Sequence, residues 1–153
     1  MVKDIALNEI TLRKYERPYN LDERELVKKI CLSLGLLQPG DSRDVIVDIF
    51  LILIEASKNK EKLNSEQIRQ RVEKIRKEKS LGTRGLAESN IRRQLKRLRD
   101  LMIIEKKENL YHIAEFETLM EIFEKKIVGF QIPQIIERIK EYLQELEKNN
   151  SNH

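Results

Sequence analysis

One stretch of this sequence constrains the fold more than any other. Within Val45–Ile54 every residue except Asp48 is apolar, and Asp41 or Ser42 can cap a helix that continues to about Ala56. The stretch is long for a buried strand, which its β-branched residues leave as the alternative. A helix that is apolar nearly all round has to be enclosed by other elements. We therefore expect the central helix of one core.

The residues before this stretch predict an arm followed by one helix. Residues 1–19 alternate only weakly between apolar and polar side chains, so we expect an extended arm. Asn20 then offers an N-cap, and Glu23 stands three positions later, as in a capping box. Gly35 can end this helix in a left-handed conformation. Cys31, the single cysteine, falls on an apolar stretch of the helix and is predicted to be buried.

Two further helices and a hairpin are predicted in the middle of the chain. Asn64 and Gln67 form a second capping-box pattern, in front of a helix with a narrow apolar stripe. After a turn that contains two glycines, residues 86–102 predict a helix with an apolar stripe opposite an almost wholly basic face. Residues 103–113 form two short β-prone runs, which predict a hairpin.

The C-terminal part predicts a helix with an unpartnered apolar face. Residues 115–127 have helical spacing, Gly129 is expected to end that helix, and a last helix begins near Pro133. Apolar side chains follow a seven-residue repeat on this last helix: Ile132, Ile135, Ile136, Ile139, Tyr142, Leu143 and Leu146. Such a stripe at the end of a chain favours dimerisation with a second copy. Packing on the chain's own core is the alternative.

Charge is distributed unevenly along the chain. The formal net charge is +4, yet residues 66–99 hold twelve Lys or Arg against four Glu. Residues 114–148, by contrast, hold eight Glu against five basic residues. This separation favours a surface that faces a polyanion, while a solvated helix face is the alternative explanation.

The order of these elements resembles the winged helix-turn-helix fold of archaeal and bacterial transcriptional regulators. The resemblance lies in two helices (41–57 and 64–78), a turn, a basic helix and a two-stranded hairpin, and it covers about half of the chain. It implies a mainly α fold with additional N- and C-terminal helices. On this basis residues 1–40 form an arm and a helix, residues 41–127 the winged-helix domain, and residues 128–153 a dimerisation helix.

The resemblance also implies a function, that of a regulator of transcription which binds duplex DNA, and the apolar stripe of the last helix predicts that it does so as a homodimer. Residues 86–102 are then the recognition helix in the major groove, and residues 103–113 are a wing on the DNA backbone. Contacts to bases are expected from Ser89, Asn90 and Arg93. Contacts to phosphates are expected from Arg84, Arg92, Lys96, Arg97, Lys106 and Lys107. The alternatives are a winged-helix module for protein assembly without DNA binding, and an RNA-binding or ribosome-associated protein.

The residues that an enzyme needs do not come together in this sequence. His112 and His153 are the only histidines, and no glycine-rich phosphate loop is present. We therefore expect no catalytic residue, metal or cofactor, and we interpret His112 as a partly exposed strand residue. Asp44 and Asp48 are interpreted as capping and first-turn charges of the central helix. No signal peptide or membrane-spanning run is apparent, so we expect a cytoplasmic protein without a membrane partner.

Overall fold

The computed structural model describes residues 4–151 and is mainly helical, with one small antiparallel sheet. At this level the predicted fold class is confirmed. The elements are α1 (Glu23–Ser33), α2 (Val45–Lys58), α3 (Ser65–Glu78), α4 (Glu88–Asp100), β1 (Ile104–Lys107), β2 (Leu110–Ile113), α5 (Leu119–Ile122) and α6 (Ile132–Ser151). A 3-10 turn (Ala114–Phe116) precedes α5, and a π-helical segment (Phe123–Gln131) joins α5 to α6. His153 and the first three residues of the predicted arm lie outside the described residues.

The helix α2 is the central one, as predicted. Nine of its fourteen residues are buried, among them Ile49 and Phe50. It contacts α1, α3, α4 and β2, so no side of it is left to solvent along most of its length. Burying one large aliphatic or aromatic side chain stabilises a fold by about 1.5–3 kcal/mol. The buried face of α2 is therefore a major source of the stability of this fold.

The helix α1 begins later than the sequence predicts and ends where it predicts. Asp22, rather than Asn20, is the N-cap, and its side chain accepts a hydrogen bond from the Glu25 N–H at 2.8 Å. Asn20 instead has a left-handed backbone, which asparagine tolerates better than most residues. Gly35 has a φ of +72° just beyond the helix. An added Cβ at Gly35 would lie 2.5 Å from the Cβ of Thr11, because the N-terminal segment passes directly over this turn.

The N-terminal segment, residues 4–19, contains no helix or strand and is held against the end of α1. The Arg13 guanidinium donates hydrogen bonds to the carbonyls of Leu32 and Leu37, at 2.8 and 3.3 Å, and to Oε1 of Gln38 at 2.8 Å. The backbone N–H of Arg13 also donates to the carbonyl of Ser33, the last residue of α1, at 2.8 Å, so side chain and backbone of one residue both bond to the end of the helix. Arg13 therefore holds the N-terminal segment against the end of α1.

The capping box in front of α3 is confirmed. The Asn64 side chain accepts from the Gln67 N–H at 2.8 Å, and the Gln67 side chain accepts from the Asn64 N–H at 2.9 Å. Just before it, Leu63 is fully buried and exchanges two backbone hydrogen bonds with Tyr111 of β2. The chain that enters α3 is thus bonded to the hairpin.

The predicted hairpin is present and its turn is as short as a hairpin turn can be. The two turn residues, Glu108 and Asn109, both have positive φ, as a type I′ hairpin turn requires. The interpretation of His112 as partly exposed is wrong, because β2 packs on α2 and leaves His112 only 7% exposed. Its ring stacks on Phe116 with centroids 4.8 Å apart, and its Nε2 lies 3.0 Å from Oε2 of Glu105.

The C-terminal helix is continuous where the sequence predicts a stop. Gly129 lies inside the π-helical segment, and an added Cβ there would be 2.9 Å from the Glu124 carbonyl oxygen. Ile122 and Ile127 are both buried although they are five residues apart. In an α-helix this spacing would point them about 140° apart, whereas a π turn places them on one face. At the end of the segment, the buried Gln131 donates a 2.9 Å hydrogen bond to the Leu101 carbonyl.

Candidate nucleic-acid interface

A buried ionic cluster, formed by Arg24, Asp44, Asp48 and Arg76, joins the helices that lie beneath α4. Nη1 of Arg76 reaches both carboxylates, at 3.1 Å from Asp44 Oδ1, and Arg24 lies 3.1 Å from each of them. The predicted capping role of Asp44 is wrong. It occupies the N-cap position of α2, in place of Asp41 or Ser42, but its side chain makes no capping bond. The two carboxylates balance the two guanidinium groups instead.

The ionic cluster also anchors the loop that leads into α4. Nε of Arg76 donates a hydrogen bond to the carbonyl of Gly82 in that loop. Burial raises the pKa of Asp44, but hydrogen bonds and charges from Arg24 and Arg76 outweigh it and hold the pKa below the ordinary value of 3.8. The stability that this carboxylate contributes is therefore present above about pH 4 and is lost as the pH falls through the lowered pKa.

The helix α4 has one buried face and one basic face. It is shorter than the predicted range 86–102, because Ala87 is extended and Met102 has a φ of 64°. Three apolar residues at helical spacing are fully buried: Ile91, Leu95 and Leu98. The exposed side chains on the helix include Ser89, Arg92, Arg93, Lys96 and Arg99. The predicted amphipathic arrangement is confirmed.

The exposed basic residues of α4 are available to a ligand at low cost. Arg92 pairs with Glu88 at 2.6 Å and Lys96 with Asp100 at 3.0 Å, in both cases on the surface. Exposed pairs of this kind contribute only about 0.2–1 kcal/mol, so a phosphate can replace the carboxylate. Arg93 makes a single long contact, in which Nη1 lies 3.5 Å from Oδ1 of Asn90.

Two of the predicted contact residues, Asn90 and Arg97, are engaged inside the protein. The Asn90 amide donates to the Gly85 carbonyl at 2.8 Å and accepts from Gln94 at 3.1 Å. Arg97 donates to Gln94 and to the Gly35 carbonyl, both at 2.9 Å. Reading adenine requires both ends of an asparagine amide, and both ends of Asn90 are occupied. This chain of hydrogen bonds braces α4 against the end of α1.

The remaining predicted contact residues lie at the two ends of the surface. Arg84 is exposed in the loop before α4, and within residues 4–151 it pairs with no carboxylate. Lys106 and Lys107 are exposed on β1, where Nζ of Lys106 lies 5.6 Å from the ring centroid of Tyr111. Since β1 packs against α4, the basic hairpin strand adjoins the basic helix.

Arg43 is a further basic residue near α4 that the sequence pattern does not indicate. It lies in the turn before α2 and, together with Arg84, Arg93 and Arg97, lines a cleft beside the first turns of α4. We refer to this cleft, formed around these four side chains, as the arginine cleft. Arg43 stands alone among uncharged and acidic neighbours in the sequence, so no local pattern marks it.

The acidic C-terminal part of the chain does not cover α4. Its carboxylates pair within their own segment, as in the contacts of Glu117 with Lys125 and of Glu141 with Arg138. The ion pairs of α4 are made within α4 itself. In the part of the chain that the structure describes, the basic face of α4 is therefore open to solvent.

The apolar stripe of α6 is exposed. No residue of α6 is buried, and the five stripe residues beyond its first turn are 46–73% exposed: Ile136, Ile139, Tyr142, Leu143 and Leu146. Ile132 and Ile135 are half-buried, the latter in a groove shared with residues 5–8. Packing of α6 on the chain's own core, the alternative considered above, is thus confined to its beginning.

Residues 4–151 show neither a metal site nor a membrane-spanning helix. No group of three or more His, Cys, Asp or Glu side chains there is placed to hold a metal ion, and no helix there is long and apolar enough to cross a membrane. Cys31 is fully buried, as predicted, and burial raises the pKa of its thiol to about 12 although the charge of Arg97 lowers it. Comparison of the chain with protein-family models, with curated proteins and with solved structures found no match.

Proposed function

We propose that this protein binds duplex DNA through α4 and regulates transcription as a winged-helix protein. The observation that carries the proposal is the basic face of α4, which is exposed and uncovered while the opposite face is locked into the core. A helix of this diameter fits the major groove. Arginine and lysine on its outer face would displace the counterions of the phosphates.

The arrangement of the other elements supports a winged-helix core. The helices α2, α3 and α4 pack on one another, and the hairpin follows α4 directly. The backbone bonds between Leu63 and Tyr111 tie the start of α3 to the hairpin. A wing that contacts DNA beside the recognition helix needs such a fixed position.

The geometry suggests a division of roles among the candidate residues. Ser89 and Arg93 are exposed on the leading turns of α4 and are proposed to contact base edges, arginine by bidentate bonds to guanine. Asn90 and Arg97, which are engaged internally, are proposed to position α4 rather than to touch bases. The proposed contacts to phosphates come from Arg84, Arg92, Lys96, Lys106 and Lys107.

The first test removes the exposed charge of this surface by glutamine substitution at Arg84, Arg92, Arg93 and Lys96. With random duplex DNA near 100 mM salt, we expect at least about a 100-fold loss of affinity, because four phosphate or base contacts disappear. Three of the four side chains are proposed phosphate contacts, so we also expect the slope of log affinity against log salt to become shallower by about 3. Fluorescence anisotropy at several salt concentrations measures both quantities.

A matched control removes four exposed positive charges elsewhere by the same substitution at Lys58, Lys60, Arg138 and Lys148. It should change affinity only slightly. Equal losses in the two variants would indicate binding governed by net charge and would contradict the assignment to α4. Absence of binding at about 50 mM salt would favour the protein-assembly alternative, and equal or tighter binding of RNA would favour the RNA-binding one.

We propose a second copy of the chain as the partner of α6. Its stripe repeats every three or four residues and leaves large apolar side chains in solvent, which a second identical stripe would bury. Wild type should then have twice the chain mass of 18.2 kDa in light scattering. Replacing Ile139 and Leu146 by glutamate should give monomer, since each change removes about 1.5–3 kcal/mol of apolar burial and adds a charge.

The control for this variant adds the same two negative charges outside the stripe, at Gln134 and Gln144. It should remain dimeric. A wild-type protein that is monomeric at about 100 μM, roughly the concentration at which a weak interface of this size would associate, would rule out the dimer. An unchanged dimeric mass in the variant with Ile139 and Leu146 replaced would rule out the α6 stripe as the interface.

A further inference from the structure

We propose that the arginine cleft is a binding site for a phosphate group. The cleft has a volume of about 490 Å³ and lies between the turn before α2 and the first turns of α4. Four arginines line it against a single carboxylate, that of Asp41. The proposal rests on the proposed function only in part, because a DNA strand is one of two sources of such a phosphate.

The arginines of the cleft are not neutralised by the protein. Within residues 4–151, neither Arg43 nor Arg84 forms an ion pair, and Arg93 makes only the 3.5 Å contact to Asn90. One oxygen of Asp41 accepts the backbone N–H of Arg43 at 2.9 Å, which directs it toward the turn. The cleft therefore holds uncompensated positive charge.

Part of the cleft is organised before any ligand arrives. Arg97 is held by its bonds to Gly35 and Gln94, so its guanidinium loses little freedom on binding. The first turn of α4 also lines the cleft at Ala87 and Ser89, and the N-cap Ala87 has no side chain that could accept from the N–H groups there. The N–H of Asn90 bonds to the Ala87 carbonyl, but those of Glu88 and Ser89 have no acceptor in the part of the chain that the structure describes, and with the helix dipole they add to the attraction for an anion.

The chemistry of the cleft favours phosphate over other anions. A guanidinium group forms two parallel hydrogen bonds with a phosphate, and several of them can surround its oxygens from different directions. The floor of the cleft is apolar and consists of four buried side chains: Leu36, Leu37, Val45 and Ile46. A phosphate ester with an organic part that rests on this floor, such as a nucleotide, fits the cleft better than inorganic phosphate does. The backbone of a DNA strand presents the same group at the rim.

The test uses the full chain with one substitution, Arg43→Gln, because Arg43 is exposed and is not part of the proposed α4 interface. Arg138→Gln is the matched control, an exposed arginine on α6. Isothermal titration at about 50 mM salt measures the affinity for adenosine 5′-monophosphate and for inorganic phosphate. Fluorescence anisotropy measures the affinity for duplex DNA. We expect Arg43→Gln to lose about tenfold or more in affinity for at least one of these probes, with Arg138→Gln unchanged.

The two sources of phosphate give different results. Nucleotide binding that weakens only in Arg43→Gln identifies a free phosphate ester as the ligand. Absence of nucleotide and phosphate binding, with DNA affinity lowered only in Arg43→Gln, identifies the DNA backbone. Equal behaviour of the two variants toward every probe overturns the proposal. If wild type binds no DNA at all, the proposed function fails. The nucleotide titration alone then shows whether the cleft binds a phosphate group.

Discussion

Asparagine in place of Asp48 is expected to lower the free energy of unfolding by about 3–5 kcal/mol. Asp48 is fully buried, and its carboxylate accepts hydrogen bonds from both Arg24 and Arg76. Asparagine preserves the shape of the side chain but removes one of the two negative charges of the ionic cluster. Arg76, only 4% exposed, would then stay in the core with half of its compensation.

Urea unfolding followed by circular dichroism at pH 7 measures this loss. Asp100→Asn is the control, because Asp100 forms one exposed ion pair with Lys96 and should contribute about 1 kcal/mol or less. A variant at Asp48 that is as stable as the Asp100 variant would show that the buried charge of Asp48 contributes no more than an exposed ion pair. The cluster reaches α1, α2, α3 and the loop before α4, so its loss is also expected to loosen that loop.

Alanine at Gly35 is expected to cost about 2–5 kcal/mol, the sum of two separate effects. The first is the left-handed backbone, with φ at +72°, which disfavours any residue with a Cβ. The second is the contact of 2.5 Å that the new Cβ would make with Thr11. The N-terminal segment has to move away, and the Gly35 carbonyl that accepts from Arg97 moves with the turn.

A substitution at Gly40 measures the first of these two effects alone. Its φ is +78°, close to that of Gly35, but an added Cβ there meets nothing within 4 Å. Gly40→Ala should therefore cost only the backbone part, about 1–2 kcal/mol in urea unfolding. Combining Gly35→Ala with Thr11→Gly should recover most of the difference. Equal costs for the two alanine variants would mean that the N-terminal segment is not packed on α1.

Much of the fold could be predicted from the sequence because it depends on local patterns. The central position of α2 follows from a ten-residue stretch in which nine residues are apolar, and the start of α3 follows from Asn64 and Gln67. The ionic cluster could not be predicted in this way. The partners of Asp44 in it lie 20 and 32 residues away, so the sequence around Asp44 suggested only a helix cap.

In the candidate interface, too, only the features that depend on local sequence could be predicted. The basic face of α4 follows from helical spacing within thirteen residues. The internal role of Arg97 depends on Gly35, 62 residues earlier, and could not be read from spacing. The prediction that Gly129 ends a helix failed for a different reason. Gly129 lies in a π-helical segment, where the helix continues through it.

The continuous C-terminal helix can act as a lever on the rest of the molecule. The twenty residues of α6 extend about 30 Å, so a tilt of about 10° at the π-helical segment moves the tip by about 5 Å. The base of this lever is attached to the basic helix, because Gln131 is hydrogen-bonded to Leu101, the C-cap residue of α4. The end of α4 is therefore the first part of the basic helix that such a tilt would displace.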